Sequence, residues 1–356
     1  MRIYVLTIHN PKLSFGPQLR LEGFLNSGAK HDMEFVLPKF CEPEKHSKLK
    51  TFLSLANSFN YLVKNHRKID LIHVVTPPSY PGFLIAVLMK KLFKKKYIVD
   101  IGDPCAENQA LIGSFSEKST RFKLLKLIDQ ALYDNASHII LSSPEIAKYT
   151  PAKIPTSTIL TGLKNKNDIQ PTILPNNKNC LYIGNYGPLQ NLDYLIKVFT
   201  KAINTDQSIQ LHIVGNGERE KLEKLVTDLK VEKNIKFFDP IPSSKIQELA
   251  KKYVCGVVAL NLNKSLDYAI PTKLLTSLTL GLPIFGTGGR ATKNLVRKAG
   301  AGLISTKYNF ESDYRALIHL LKSRETLKAY SENATFFAKH NLTFETCAKT
   351  YKLTLQ

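Results

Sequence analysis

Apolar segments of four to seven residues alternate with longer amphipathic segments along almost the whole chain. The segment 69–75 (IDLIHVV) is nearly all apolar, which is typical of a parallel strand buried on both faces. In the segment 192–202, apolar residues recur at helical spacing, at Leu192, Leu195 and Phe199. This alternation predicts an α/β fold with parallel sheets. The predicted strands are 2–8, 34–37, 69–75, 96–101, 137–141, 158–160, 180–183, 209–214, 234–238, 255–260 and 282–285.

A strand, a glycine-bearing loop and a helix follow one another near the start of each half of the chain. Gly16 lies in the first of these loops (9–17) and Gly184 opens the second (184–188). With 356 residues, the chain is long enough for two domains, each with its own core. The polar segment 161–177 (TGLKNKNDIQPTILPNN) has no periodicity and is predicted to connect them.

The segment 268–296 combines a helix start, glycines and cations. Pro271 suits a first helical turn and Gly281 a helix end; a buried strand then leads to Gly288, Gly289 and Arg290. An open helix start can hold a phosphate, and Lys273 and Arg290 can neutralise a diphosphate. The alternative is a surface helix, a turn and two solvated charges.

The net charge of +21 predicts an anionic partner: nucleic acid, an acidic membrane surface or phosphorylated substrates. Clusters of cations lie at 45–50, 64–68, 90–96 and 121–126, mostly in the N-terminal half. No nucleic-acid-binding motif accompanies them, so we expect no nucleic-acid partner. The segment 121–133 (RFKLLKLIDQALY) is amphipathic and reads either as an ordinary surface helix or as a membrane-facing one.

Several classes of protein are disfavoured by simple patterns. No apolar run reaches the roughly 18–20 residues of a membrane span, and the first residues read as a strand rather than a signal peptide. The five cysteines have no paired spacing, which argues against a disulfide framework or a zinc site and is typical of the cytosol. No Asp-x-Asp pair is present, so we expect no metal site.

Four motifs resemble the retaining nucleotide-sugar glycosyltransferases of family four. The residues PTKL (271–274) and GLPI (281–284) are similar to that family's "PSKL" and "GxPV". The segment YIGNYGPLQNLDYLIKVF (182–199) resembles the opening motif of its nucleotide-binding domain, and VGNGER (214–219) resembles its "VGxGPxR" turn into a helix. The resemblance extends over almost the whole chain.

The resemblance implies the GT-B architecture, with two Rossmann-like doubly wound domains facing across a cleft. Residues 1–162 would form the acceptor-side domain and residues 163–336 the nucleotide-sugar-binding domain. Residues 337–356 would form a terminal helix that crosses back to the first domain.

The implied activity is transfer of a sugar, with retention, from a nucleotide-diphosphate sugar to a glycan or lipid-linked saccharide. The setting would be assembly of surface polysaccharide or lipopolysaccharide in the cytoplasm, peripherally on the inner face of the membrane. No cofactor or metal is expected. The implied catalytic residues are Asp103, Lys273 and Arg290. The implied donor-binding residues are Gly16, Gly184, Asn185, Gln190, Gly215, Asn216, Pro240, Tyr268, Thr276, Gly288 and Gly289. The implied acceptor-side residues are Thr76, Pro77 and Tyr80.

The chain departs from the family pattern where charge is expected. Gly102 stands where relatives often carry arginine, and neutral Asn185 and Gln190 stand where many carry arginine and lysine. Tyr268 and Thr276 replace two glutamates, and the loss of a charged hydrogen bond at Thr276 reduces donor affinity by roughly a decade. The alternative is therefore a catalytically degenerate GT-B protein that acts as a partner subunit or nucleotide-sugar-binding module.

Overall fold

A computed structural model describes residues 1–7, 16–38, 48–76, 80–262 and 265–355. The chain divides into two compact units. The first contains residues 1–163 and 343–356, and the second contains residues 164–342. Each unit is built on a six-stranded sheet in which every pairing is parallel. This confirms the predicted α/β class.

In the first unit the strands lie in the order β2-β1-β3-β4-β5-β6. Their bounds are β1 Arg2–Leu6, β2 Glu34–Val36, β3 Leu71–Val75, β4 Lys96–Ile101, β5 His138–Leu141 and β6 Thr156–Thr158. The helices before the second unit are α1 Gly16–Ser27, α2 Lys48–Asn65, α3 Tyr80–Phe93, α4 Cys105–Leu111 and α5 Thr120–Asp134. Short 3-10 helices occur at Ala29–His31, His66–Lys68, Pro144–Tyr149 and, in the second unit, Lys166–Asp168.

In the second unit the strand order is β12-β11-β10-β7-β8-β9. Its strands are β7 Lys178–Ile183, β8 Ile209–Val214, β9 Ile235–Phe238, β10 Cys255–Val258, β11 Ile284–Thr287 and β12 Gly302–Ser305. Its helices are α6 Leu192–Thr205, α7 Arg219–Asp228, α8 Ser243–Ala250, α9 Thr272–Thr279, α10 Arg290–Ala299, α11 Phe310–Lys322 and α12 Arg324–Asn341. The last helix, α13 Phe344–Thr354, returns to the first unit.

The edges of the sheets differ most from the sequence expectation. Strand β12 was not predicted, and β6 covers 156–158 rather than 158–160. Both are outermost strands, and their side chains are at most half-buried, so they carry little of the apolar signal that marks central strands. Gly16 was placed in a loop, but it is the first residue of α1.

The segment predicted as an inter-domain connection is packed onto the second unit from residue 164 onward. Ile169 is fully buried, and Leu174 belongs to the core cluster of that unit. The Thr172 hydroxyl donates to the carbonyl of Leu280, and the Arg324 guanidinium donates to the carbonyl of Leu174. The sequence did not indicate this packing, because the segment is polar and its few apolar residues show no periodicity.

The C-terminal segment forms two helices, where one terminal helix over 337–355 was expected. Helix α12 ends at Asn341, and Thr343 then caps α13 by accepting a hydrogen bond from the Thr346 N–H at 3.0 Å. Helix α13 packs against α1. Among the described helices, none combines the length and the apolar composition that crossing a membrane requires.

A buried polar cluster ties α13 to the first sheet. The Arg20 guanidinium forms an ion pair with Asp100, with Nε 3.2 Å from Oδ2. His73 Nε2 lies 3.3 Å from the same carboxylate, and His73 Nδ1 is 2.8 Å from the Tyr351 hydroxyl on α13. All four side chains are almost completely buried. Burial by itself would raise the pKa of Asp100, but the Arg20 charge and the His73 hydrogen bond hold that pKa below its usual value.

We expect Arg20→Met to lower the free energy of unfolding by about 3–5 kcal/mol, because the buried Asp100 carboxylate loses its counter-charge. Urea denaturation at pH 7 measures this change. Because the folded-state pKa of Asp100 is lowered, its contribution is present above the unfolded value of about 3.9 and is lost as the pH falls through the folded value.

The control is Arg67→Met, since Arg67 is exposed in the first unit. This variant should stay within about 0.5 kcal/mol of the parent protein. An Arg20→Met variant as stable as the Arg67→Met variant would contradict the assignment of Arg20 as the counter-ion of Asp100.

Candidate active site

The predicted donor-binding residues of the second unit gather at one edge of its sheet. All six strands are parallel, so their carboxyl ends share an edge, and Gly184 and Gly215 directly follow β7 and β8. The strand order reverses at β7. Strands β8 and β9 are added on one side of β7, and β10, β11 and β12 are added on its other side. In open α/β sheets, ligands bind at such a reversal, outside the carboxyl ends of the strands.

The loops after β7 and β8 pack directly on one another. Gly184 has φ +124° and Gly215 has φ +149°, both in the region that favours glycine. A Cβ atom on Gly215 would lie 2.2 Å from the carbonyl oxygen of Gly184. The Tyr186 N–H donates to the carbonyl of Asn216 at 2.9 Å and joins the two loops. We call residues 184–187 and 215–217 the glycine floor.

Lys273 extends from the first turn of α9 to this floor. Its ammonium donates to the carbonyl of Asn185 at 2.9 Å and contacts the Tyr182 hydroxyl. It also lies 4.3 Å from the centroid of the Tyr182 ring. A Cβ atom on Gly184 would lie 3.5 Å from Lys273 Cε, an ordinary contact distance, so the lysine stem packs directly against this glycine.

The surroundings of Lys273 are neutral. No ion pair involves it within the described ranges, and burial lowers its pKa to about 7. A buried amine without a counter-ion favours its uncharged form, and an incoming anion would reverse that preference. Lys273 is thus suited to bind an anionic ligand.

The start of α9 adds backbone donors beside this lysine. The Leu274 N–H donates to the carbonyl of Pro271. For the N–H groups of Thr272 and Lys273, no acceptor is found in the part of the chain that the structure describes. Unpaired N–H groups at a helix start carry partial positive charge and bind phosphate groups readily.

The start of α10 is closed, in contrast to that of α9. The Arg290 N–H lies 3.4 Å from Asp267 Oδ1, and the Ala291 N–H donates to the Asp267 carbonyl at 2.8 Å. The Gly288 N–H donates to the carbonyl of Ser305 on β12. A Cβ atom on Gly289 would lie 2.5 Å from the Leu266 carbonyl oxygen. The Gly288 N–H is therefore already engaged within the unit, whereas donor binding by Gly289 stays a prediction.

The two predicted cations differ in their surroundings. Lys273 is half-buried beside the glycine floor, whereas the Arg290 side chain is 72% exposed, with Nη2 3.9 Å from Asp267 Oδ2. Such an exposed pair contributes little to stability, so Arg290 is free to adopt other rotamers.

The other predicted donor-binding residues are distributed around the same edge. Asn185, Asn216 and Pro240 are exposed in the loops after β7, β8 and β9, and Gln190 is half-buried just before α6. Thr276 is half-buried on α9, one turn after Thr272. Tyr268 is an exception: its ring is 1% exposed, so it packs inside the unit and cannot present a face to a ligand.

The acceptor-side residues of the first unit are only partly where the sequence placed them. Asp103 follows β4 and is half-buried; burial raises its pKa, and the Arg20 charge opposes that shift. Thr76 is fully buried, and its hydroxyl donates to the Asp100 carbonyl at 2.9 Å, so it does not line a wall. Pro77 lies outside the described residues, and Tyr80 is the first residue of α3.

Two residues that the sequence did not single out complete the site. Tyr182 holds the Lys273 ammonium, and Asp267 caps the start of α10. An aspartate that directly precedes a helix is a usual cap and can be read from the sequence. Asp267 lies 23 residues before Arg290, so the local sequence does not reveal that it caps α10. In the described ranges, no group of three His, Cys, Asp or Glu side chains is placed to hold a metal ion.

Comparisons with known proteins agree with this architecture. Residues 164–336 match the family model "Glycosyl transferases group 1". A curated relative, the poly(glycerol-phosphate) alpha-glucosyltransferase of Bacillus subtilis (strain 168), is 26% identical over 176 residues. That match covers 47% of this chain and 24% of the relative, so the chain spans about a quarter of the relative's length.

Two solved structures are similar over the whole chain. The sucrose-phosphate synthase of Thermosynechococcus elongatus has a TM-score of 0.73 at 15% identity and covers 100% of this chain and 98% of its own. The Anabaena protein HepE, in complex with UDP, has a TM-score of 0.74 at 13% identity and covers 99% of each chain. At such low identity these matches show the fold alone, and that fold is GT-B, with two Rossmann-like domains. Residues 164–336 of the chain are thus similar to the family Glycosyl transferases group 1.

Proposed function

We propose that this protein transfers a sugar, with retention, from a nucleotide-diphosphate sugar to a glycan or lipid-linked saccharide in surface-polysaccharide assembly. The observation that carries the proposal is the half-buried Lys273 ammonium beside the open start of α9 and the glycine floor. The names of the similar proteins support it, because one is a glucosyltransferase and another was solved with UDP.

The proposed site acts by stabilising the leaving nucleoside diphosphate. Negative charge builds up on the diphosphate as the bond to the sugar breaks, and preorganised donors that meet this charge lower the barrier. The Lys273 ammonium and the N–H groups of Thr272 and Lys273 form such a set. The diphosphate would raise the pKa of Lys273 and keep it charged. The proposal therefore assigns charge neutralisation to these groups rather than to a metal ion.

The remaining residues have supporting roles in the proposal. Asn185 and Gln190 donate neutral hydrogen bonds where relatives carry cations, and the exposed Arg290 supplies a second, mobile charge. Thr276, one turn into α9, is assigned to a ribose hydroxyl. Asp103 is the polar group that the first unit offers to the acceptor, as a hydrogen-bond partner for a sugar hydroxyl; burial raises its pKa.

The second candidate is a nucleotide-sugar-binding subunit without turnover of its own. The neutral residues at 185, 190 and 276 favour it, because this site then offers fewer charged side chains to the donor than the family pattern has. A screen of nucleotide sugars by thermal shift, followed by NMR of any product, separates the two. The enzyme gives a product whose anomeric configuration matches the donor. The subunit shows a thermal shift without product, and an inverted product contradicts retention.

We expect Lys273→Met to weaken UDP binding by about 10–150-fold, the equivalent of a charged hydrogen bond of about 1.5–3 kcal/mol. The free energy of unfolding should not fall, because the substitution removes a buried amine that has no counter-ion. Calorimetric titration with UDP and urea denaturation measure the two quantities.

The matched control is Lys298→Met, since Lys298 is exposed at the far end of α10. It should bind UDP as the parent protein does. Equal losses in both variants would mean that general charge, and not the position of Lys273, attracts the nucleotide.

The affinity for UDP should fall as the pH rises from 7 to 9. The free Lys273 has a pKa of about 7, so above this pH its neutral amine must first take up a proton before it can pair, as an ammonium, with the diphosphate. Proton uptake on binding lowers the affinity by up to about tenfold per pH unit. Titrations in buffers of different ionisation enthalpy measure the uptake directly. The Lys273→Met variant should lack this slope, and an unchanged slope in that variant would assign it to another group.

A further inference from the structure

Three helices of the first unit lie side by side and leave apolar side chains in solvent. Helix α3 packs against β3 and β4 on one side, and its neighbours are α2 and α5. Leu84, Leu88 and Leu92 follow one another at four-residue intervals on α3 and are 60%, 42% and 62% exposed. Residues four apart lie on one face of a helix, so these leucines form a stripe about 12 Å long.

Helix α5, the neighbour of α3, exposes two further leucines: Leu124 and Leu127 are 56% and 67% exposed. We call Leu84, Leu88, Leu92, Leu124 and Leu127 the leucine face. On a solvated helix these positions would carry polar residues. Grouped apolar side chains at a surface mark a contact with a partner, whereas single ones have no such meaning.

Cations lie on the same group of helices as the leucine face. Within the residues whose side chains the structure describes, helices α2, α3 and α5 contain six Lys or Arg residues, at 64, 90, 91, 121, 123 and 126. Their two acidic residues are Asp129, which is buried, and Asp134, which pairs with Lys153. Across the described residues, Lys64, Lys91 and Lys123 form no ion pair.

We propose that the leucine face docks the first unit on an anionic lipid bilayer. Leucines would enter the boundary between headgroups and acyl chains, while the long lysine side chains extend to the lipid phosphates. The charge pattern favours lipid over a second copy of this chain, because self-association through this face would bring like charges together. Docking is independent of sugar transfer, since it requires neither the donor site nor a particular acceptor.

The test is sedimentation of the full-length protein with vesicles of phosphatidylcholine containing 30% phosphatidylglycerol, and with pure phosphatidylcholine vesicles. We expect binding to the anionic vesicles that weakens with salt, and much weaker binding to the neutral ones. Near an anionic surface each cation contributes about fivefold, so Lys91→Glu/Lys123→Glu should reduce binding by at least about 25-fold. Leu84→Gln/Leu127→Gln should reduce it by about tenfold or more.

The second unit offers a matched control for each variant. Lys224→Glu/Lys236→Glu makes the same change in net charge at exposed positions, and Ile173→Gln/Phe336→Gln replaces apolar residues that are at least as exposed. Both controls should bind the vesicles as the parent protein does. Thermal unfolding and UDP titration of all four variants identify any loss that results from misfolding.

Three outcomes overturn the proposal. The first is a parent protein that does not sediment with anionic vesicles. The second is equal loss in the face variants and in their controls. The third is a dimer in light scattering that Leu84→Gln/Leu127→Gln dissociates, which would assign the face to a second copy. A protein that binds vesicles but transfers no sugar would overturn only the proposed function.

Discussion

A lysine ammonium without a counter-ion is the interaction on which the donor site depends. Lys273 is held by a carbonyl oxygen, a phenol hydroxyl and an aromatic ring, all of them neutral. Burial therefore keeps its charge poorly compensated until an anion arrives. A carboxylate at this place would stabilise the free protein, but it would also compete with the diphosphate. The uncompensated charge thus trades stability for affinity, as is common where a protein binds anions.

The loops after β7 and β8 support the Lys273 site, because their backbones approach each other closely. Gly215 and Gly217 allow two loops to touch where a Cβ atom would collide with the backbone of the neighbouring loop, and Gly184 lies directly against the lysine stem. Asp267 closes α10 with a carboxylate and a carbonyl, while the start of α9 keeps its donors open. The sequence marked the starts of both α9 and α10 as possible phosphate sites. The start of α9 has N–H groups available to a phosphate, whereas Asp267 occupies those at the start of α10.

The first unit is organised by a different electrostatic balance. Its interior holds a compensated charge, the Arg20–Asp100 pair, which His73 and Tyr351 connect to the C-terminal helix α13. Its surface holds the opposite case: Lys91 on α3 and Lys123 on α5, the helices with exposed leucines, form no ion pair within the described residues. Buried charges require partners within the fold, whereas charges on a surface can find theirs in another molecule.

The sequence alone determined three local features: the apolar periodicity, the glycine loops and the place of Lys273 in the first turn of a helix. Each of them depends only on neighbours within one strand or one turn. The parallel α/β class and most of the floor could therefore be predicted. Tertiary structure decided the partners: Tyr182 lies 91 residues from Lys273 in the chain, and Tyr351 lies 278 residues from His73. It also buried Thr76 and Tyr268. The reason is physical: a local pattern encodes which face of an element is apolar, but the hydrogen-bond partners of a side chain depend on which elements pack beside it.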